Sequence, residues 1–294
     1  MLREYQLYVL LLPTLLFYIV FHYLPMYGIQ MAFQDFNPVR GFAGSRWVGM
    51  KNLQRFVSGP YFWSTLQNTL TLSLYSMLAN IPLAIIFALM LNSIPNQRFK
   101  KSVQTITYAP HFISTVVLVG MLKLFLSPNF GVVNVLIKNL GGESINFMQK
   151  SSLFPHLYVW SGVWQGLGWS SIIYLAALAG ISPELHEAAV VDGASRLQRI
   201  WHVDLPGIMP TIITLLILSA GRVLSVGFEK VYLMQNNVNA SVSEVISTYA
   251  YKLGLVQAKY SYSAAVSLFN SVVNMILLLA VNFASRKLSD TSLF

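Results

Sequence analysis

The sequence predicts an all-α integral membrane protein with six transmembrane helices, and three observations carry that expectation. Hydrophobic residues fill 55% of the 294 positions and charged residues only 10%, with a mean hydropathy of +0.58. An average soluble domain carries roughly 25% charge. The apolar residues also gather into long runs separated by short polar connections. Six of those runs reach the about 20 residues that a helix rising about 1.5 Å per residue needs to cross about 30 Å of hydrocarbon.

Taken in order, the first run extends from about Leu7 to Met31. It lacks a short core followed by a small-residue cleavage site, so it reads as an uncleaved first span. The others are Leu66 to Leu91, Val103 to Leu126, His156 to Ile181, Ile208 to Leu233 and Ala264 to Ala284. Lys123, near the end of the third, is placed to snorkel outward. An even number of spans puts both termini on one side of a single transmembrane domain, residues 1–294. That side carries Arg3, Arg98, Lys100, Lys101, Arg196, Arg199, Arg286 and Lys287. The other carries Arg40, Arg46, Lys51, Arg55, Lys138, Lys150, Lys252 and Lys259, so the count is eight against eight. By total, the positive-inside rule favours neither side. The denser cluster at Asn96 to Lys101 favours the first side as cytoplasmic.

A net charge of +9 comes from basic residues scattered among apolar runs. With no basic stripe, lipid headgroups suit that charge better than nucleic acid. Cysteine is absent, which excludes disulfides, thiolate metal sites and cysteine nucleophiles. No GxxxxGK[ST] loop occurs, so the chain has no phosphate cradle of its own. His186-Glu187 opens like HExxH, but position 190 is valine and a metal site is not expected. No nucleophile and base pair is recognisable, and no catalytic residue is assigned.

Between the fourth and fifth runs lies a polar segment, EAAVVDGASRLQRIWHVDLP, from Glu187 to Pro206. Ser182 can cap a helix whose first residue is Pro183, where the missing N–H costs nothing, with Glu184 near the positive end of the helix dipole. Asp192-Gly193 is a turn signal. Ser195 can cap a second short helix carrying Arg196, Leu197, Arg199, Ile200 and Trp201 before Pro206 opens the next span. A soluble-looking pair of helices between two spans suggests a docking surface; an ordinary interfacial loop is the alternative.

This segment closely resembles the EAA loop of type I ATP-binding cassette importer permeases, on Glu187, Ala188, Ala189, Asp192, Gly193, Ala194, Val203, Leu205 and Pro206. The stretches YVLLLPTLLFYIVFHYLPMYGIQMAFQDF, GSRWVGMKNLQRF, GFEKVYLMQN and YSYSAAVSLFNSVVNMILLL are similar to the polysaccharide and complex-oligosaccharide branch of the sugar permeases. The resemblance implies a type I importer permease fold in a bacterial cytoplasmic (inner) membrane with cytoplasmic termini. It implies that 182–206 is a coupling loop, in which Glu187, Ala188, Ala189, Asp192, Gly193, Ala194, Ser195, Arg196, Arg199 and Pro206 meet an ATPase. It further implies a homologous but different second permease chain, two ATP-binding subunits that hold ATP and Mg, an extracytoplasmic solute-binding protein, a carbohydrate cargo and surrounding lipid. No cofactor is expected in this chain, and an enzyme is not expected. The alternatives are a secondary transporter, for which no internal repeat is visible, and an importer permease for a non-sugar solute.

Polar residues inside spans usually face an aqueous path or a partner helix. In the fifth run Arg222, Ser225 and Glu229 fall at i, i+3 and i+7, one face of a continuous helix. An unpaired guanidinium there would cost about 2.5 to 3.5 kcal/mol on insertion scales. Arg222 therefore needs Glu229, another protein group or an acidic sugar. In the sixth run Ser267, Asn270 and Asn274 form a similar stripe, suited to hydroxyl recognition or to interhelical bonding. Trp164, Gln165 and Trp169 of the fourth could stack on and bond sugar rings, or belong to an interfacial aromatic belt.

Overall fold

The computed structural model describes residues 5–288; Arg3 and both chain ends, which enter the topology expectation, lie outside them. Four described helical stretches are long and apolar enough to cross a membrane alone: Gln6–Phe33, Tyr61–Asn92, Arg196–Ala220 and Tyr260–Lys287. Two bent pairs, Gln97–Phe112 with Thr115–Phe125 and Ser151–Ala179 with Pro183–Val191, make the number six when each pair is counted as one span.

The described residues divide into two compact units. The first holds residues 5–63 and 246–272. Its opening helix, Tyr5–Tyr18, continues through a π turn at Ile19–Tyr23 into a 3₁₀ segment, Leu24–Phe33. None of the apolar window of this span is buried, so lipid or another chain must cover it. A two-residue strand, Gln34–Asp35, pairs antiparallel with Arg46–Trp47. The core here is aromatic: the ring of Phe56, 1% exposed, meets Phe62, Tyr249 and Phe269 within 5.2 to 6.2 Å. The Arg55 guanidinium lies 4.9 Å from the Tyr262 ring centre, a cation–π contact. Burial, reinforced by the Tyr262 hydroxyl, pushes the Tyr249 phenol above its ordinary value, so it stays neutral within that cluster.

The second unit holds residues 64–245 and the end of the sixth span from 273. One core cluster joins Leu72, Val119, Tyr158, Val163, Val226 and Val231; another joins Ala84, Ala88, Leu89, Tyr174, Leu178 and Ile208. Helix Phe154–Ala179 runs through both, burying Tyr158, Val163, Tyr174 and Leu178 along its length.

Two spans depart from the expected continuous helices. The third, expected over Val103 to Leu126, bends by 96° between Phe112 and Thr115. Pro110 has no N–H for the helical ladder, the chain tightens into a 3₁₀ turn at Ala109–Phe112, and the Ser114 hydroxyl caps the next helix by accepting the Val117 N–H at 3.3 Å. The bend packs on Gly168, where a Cβ would stand 2.3 Å from the Thr107 carbonyl oxygen. Only glycine fits there.

The fifth span, expected over Ile208 to Leu233, stops at Ala220 and resumes as the short helix Phe228–Met234. Between them, the Leu224 N–H donates to Asn274 Oδ1 at 2.9 Å, and Asn274 Nδ2 donates to Ser225 Oγ at 3.0 Å. The Ser73 hydroxyl donates to the Val223 carbonyl. Backbone polar groups that leave the helical ladder need other partners, and these two side chains supply them. Arg222, Ser225 and Glu229 therefore do not share one helical face.

Candidate functional site

The loop at 182–206 is built from local capping. The Ser182 hydroxyl accepts the Glu184 N–H at 3.3 Å, starting helix Pro183–Val191 at 73° to the helix before it. That helix ends in a Schellman motif: Gly193 N–H donates to the Val190 carbonyl at 3.0 Å and Ala194 N–H to the Ala189 carbonyl at 2.8 Å. Gly193 has φ +76° with nothing within 4 Å of a Cβ, so backbone conformation, not crowding, calls for glycine. Ser195 then forms a full capping box with Gln198, accepting its N–H at 3.4 Å while Gln198 Oε1 accepts the Ser195 N–H at 2.7 Å.

A feature that no local pattern signals ties the two arms together. His186 Nε2 lies 3.3 Å from Asp204 Oδ1, a carboxylate that is buried. The pair is a close polar contact without hydrogen-bond alignment, because that oxygen accepts no aligned bond. The outer surface is apolar and uncovered. Leu185, Val190, Leu197 and Trp201 are each more than half exposed, and Val191 is 86% exposed. Glu187, Ala188, Asp192, Gly193, Ser195, Arg196 and Pro206 are exposed beside them, while Ala189, Ala194 and Arg199 are half-buried. The loop therefore presents a rigid hinge with a mixed apolar and charged face, a combination that suits docking to another protein.

The expected path residues separate into two groups. Asn274 and Ser225 hold the break in the fifth span, and Gln165 donates to the Ile113 carbonyl at 2.7 Å, bracing the bend of the third. These three are structural ties. Arg222 lies on the irregular segment, exposed, and its guanidinium forms no hydrogen bond or ion pair among the described residues; Glu229, on the next short helix, is not its partner. Trp169 stacks on His111 with ring centres 4.4 Å apart and planes at 3°. Trp164 is half-exposed. Asn270 keeps a buried Oδ1 without a hydrogen bond.

Arg222 and Ser225 border a cavity of about 280 Å³ that Ser73, Ser76 and Tyr158 also line. Trp169 and Ser170 border a second, of about 440 Å³. The two share Asn80, Ile81 and Ser219 as a common wall, and Asn80 Oδ1 is buried without a hydrogen bond. Beside them the Lys230 ammonium donates to the Tyr158 carbonyl at 2.8 Å and lies 4.9 Å from that ring's centre. Sequence reading missed Asn80, Ser73 and Lys230, since each acquires its place through contacts distant in sequence.

The profile of the family described as binding-protein-dependent transport system inner membrane component matches residues 80–290. Protein LplB of Bacillus subtilis (strain 168) is 43% identical over 292 residues, covering 99% of this chain and 92% of that protein. The polygalacturonan/rhamnogalacturonan transport system permease protein YteP of the same organism is 42% identical over 294 residues, covering 100% and 92%. Among solved structures, a bacterial ABC transporter involved in the import of the acidic polysaccharide alginate superposes with a TM-score of 0.90 at 40% identity, covering 98% of this chain and 97% of the matched one. A second structure, of a bacterial alginate ABC transporter in complex with an alginate pentasaccharide-bound periplasmic protein, gives 0.91 at 39% identity, covering 99% and 97%.

Proposed function

Because the chain belongs to the family of binding-protein-dependent transport system inner membrane components, and is thus a multi-pass inner-membrane permease of an ATP-binding cassette importer, we propose that its cargo is carbohydrate and that its 182–206 loop couples transport to a cytoplasmic ATPase. Cargo class is supported by relatives named for pectin-type polymers and for alginate, matched over nearly their whole length. Coupling is supported by one observation above all, the capped hinge whose apolar surface this chain leaves uncovered.

The mechanism follows from where the hinge sits. It joins helix Phe154–Ala179, which carries Trp169, to helix Leu205–Ala220, which ends at the irregular segment bearing Arg222. Force on the hinge reaches both walls of the adjoining cavities. Closure of two ATP-binding subunits around ATP and Mg would move the hinge and open the path outward, toward a binding protein that delivers cargo, and hydrolysis would reset it. This chain supplies half of the path and a homologous second permease the other half. The hydrolytic chemistry belongs to the ATPase, and both termini lie in the cytoplasm.

The chain has no cysteine, so a single Val191→Cys in the complete importer gives a clean probe. We expect it to form a disulfide with cysteines placed along the docking groove of the ATPase, and to do so differently with and without ATP. Absence of any cross-link from Val191, Leu197 or Glu187 would remove the coupling assignment.

A further inference from the structure

We infer that the two adjoining cavities at the break of the fifth span form a carboxylate-reading sugar subsite, in which Arg222 binds the acidic group of a uronic-acid residue while Trp169 stacks on a sugar ring; this rests on the carbohydrate-permease reading and assigns the charge of its cargo. The chemistry of the lining carries the inference. Arg222 lies just past the Arg196–Ala220 span, exposed on the irregular segment, and its guanidinium has no anionic partner among the described residues; the nearest acidic residue in sequence, Glu229, stands on the separate helix Phe228–Met234. The segment that bears Arg222 is held open by Ser73 and Asn274 rather than closed into a helix, which leaves the side chain bordering the cavity.

The remaining walls suit a pyranose. Trp169 is 47% exposed, with one face committed to His111, and it borders the cavity that meets the Arg222 cavity at Asn80, Ile81 and Ser219. Asn80 lines both cavities, and Ser219 and Ser76 supply hydroxyls. An aromatic platform with amide and hydroxyl partners reads neutral sugar hydroxyls as well as acidic ones. The guanidinium adds the discrimination, because a bidentate bond to a carboxylate is charge-assisted and a bond to a hydroxyl is not.

The test is equilibrium binding of a galacturonate tetrasaccharide and of its methyl ester to the complete importer in lipid nanodiscs, without binding protein, so that only the permease path reads the charge. The wild type should bind the acid more tightly than the ester. Arg222→Gln should weaken the acid about tenfold and leave the ester unchanged, and Arg222→Lys should recover most of the loss. Equal weakening of acid and ester, or no change with the acid, would overturn the subsite. If Arg222→Gln does not assemble, with Arg222→Lys likewise unable to bind the acid better than the ester, the guanidinium instead pairs with the second permease chain and the inference fails. A wild type that binds acid and ester equally also overturns it, while leaving the carbohydrate reading intact. Binding of neither sugar, with ATP hydrolysis unaffected by both, would overturn the carbohydrate reading itself and the subsite with it.

Discussion

Asn274 satisfies two groups of the broken fifth span at once, the Leu224 N–H and the Ser225 hydroxyl. Asn274→Leu keeps much of the side-chain volume but orphans a buried backbone N–H, which costs about 1 to 3 kcal/mol. The variant should lower the melting temperature of the solubilised importer and reduce uptake; an unchanged melting temperature would show that the break does not depend on this side chain. Glu187 is exposed, so Glu187→Lys should leave expression and melting unaltered while cutting ATP-driven uptake about tenfold, a difference worth about 1.4 kcal/mol at the docking face. At this scale the caps and turn of the 182–206 loop were legible because capping is local: Ser182, Asp192-Gly193 and Ser195 act within a few positions of themselves. The path residues were not. Arg222, Ser225 and Glu229 form a stripe only if the helix continues, and bonds from Ser73 and Asn274, which end it, lie some 150 and 50 positions away.

Among the elements, the bent third span and the broken fifth are the ones that hydropathy could not anticipate. Apolar residues continue through both interruptions, so a pattern that measures only transfer into lipid reads straight across them. What interrupts the third is Pro110, the Ser114 cap and the close approach of Thr107 to Gly168. A proline and a serine four residues apart are a weak signal by themselves, whereas the glycine contact is a tertiary fact. Gly168→Ala should force the two helices apart and lower stability by about 1 to 3 kcal/mol, seen as a fall in melting temperature with loss of the His111–Trp169 stack from the tryptophan emission. Unaltered melting would mean that the helices are not held at this distance. The hinge elements behave oppositely. Their helices, turn and capping box follow the order in which the sequence presents them, and only the His186–Asp204 contact required the folded chain.

For the whole molecule, the membrane class and helical architecture could be read from composition and the six apolar runs, while orientation could not, because the basic residues balance across the two sides. The orientation proposed above, with the hinge facing the cytoplasm, rests on the resemblance of the hinge to a coupling loop. A reporter active only in the cytoplasm should therefore work when inserted within Asn96 to Lys101 and fail within Asn236 to Ser243; the reverse pattern would invert the topology. The central claim is that a permease hinge converts ATPase motion into sugar movement, and Gly193→Val addresses it most directly. Its left-handed backbone, φ +76°, costs a residue with a Cβ about 1 to 2 kcal/mol, and nothing around it would be displaced. The measurement is ATP hydrolysis and sugar uptake, side by side, in proteoliposomes of the complete importer. Assembled complexes that hydrolyse ATP yet no longer accumulate sugar are the predicted result; uptake per ATP equal to that of the wild type would contradict it.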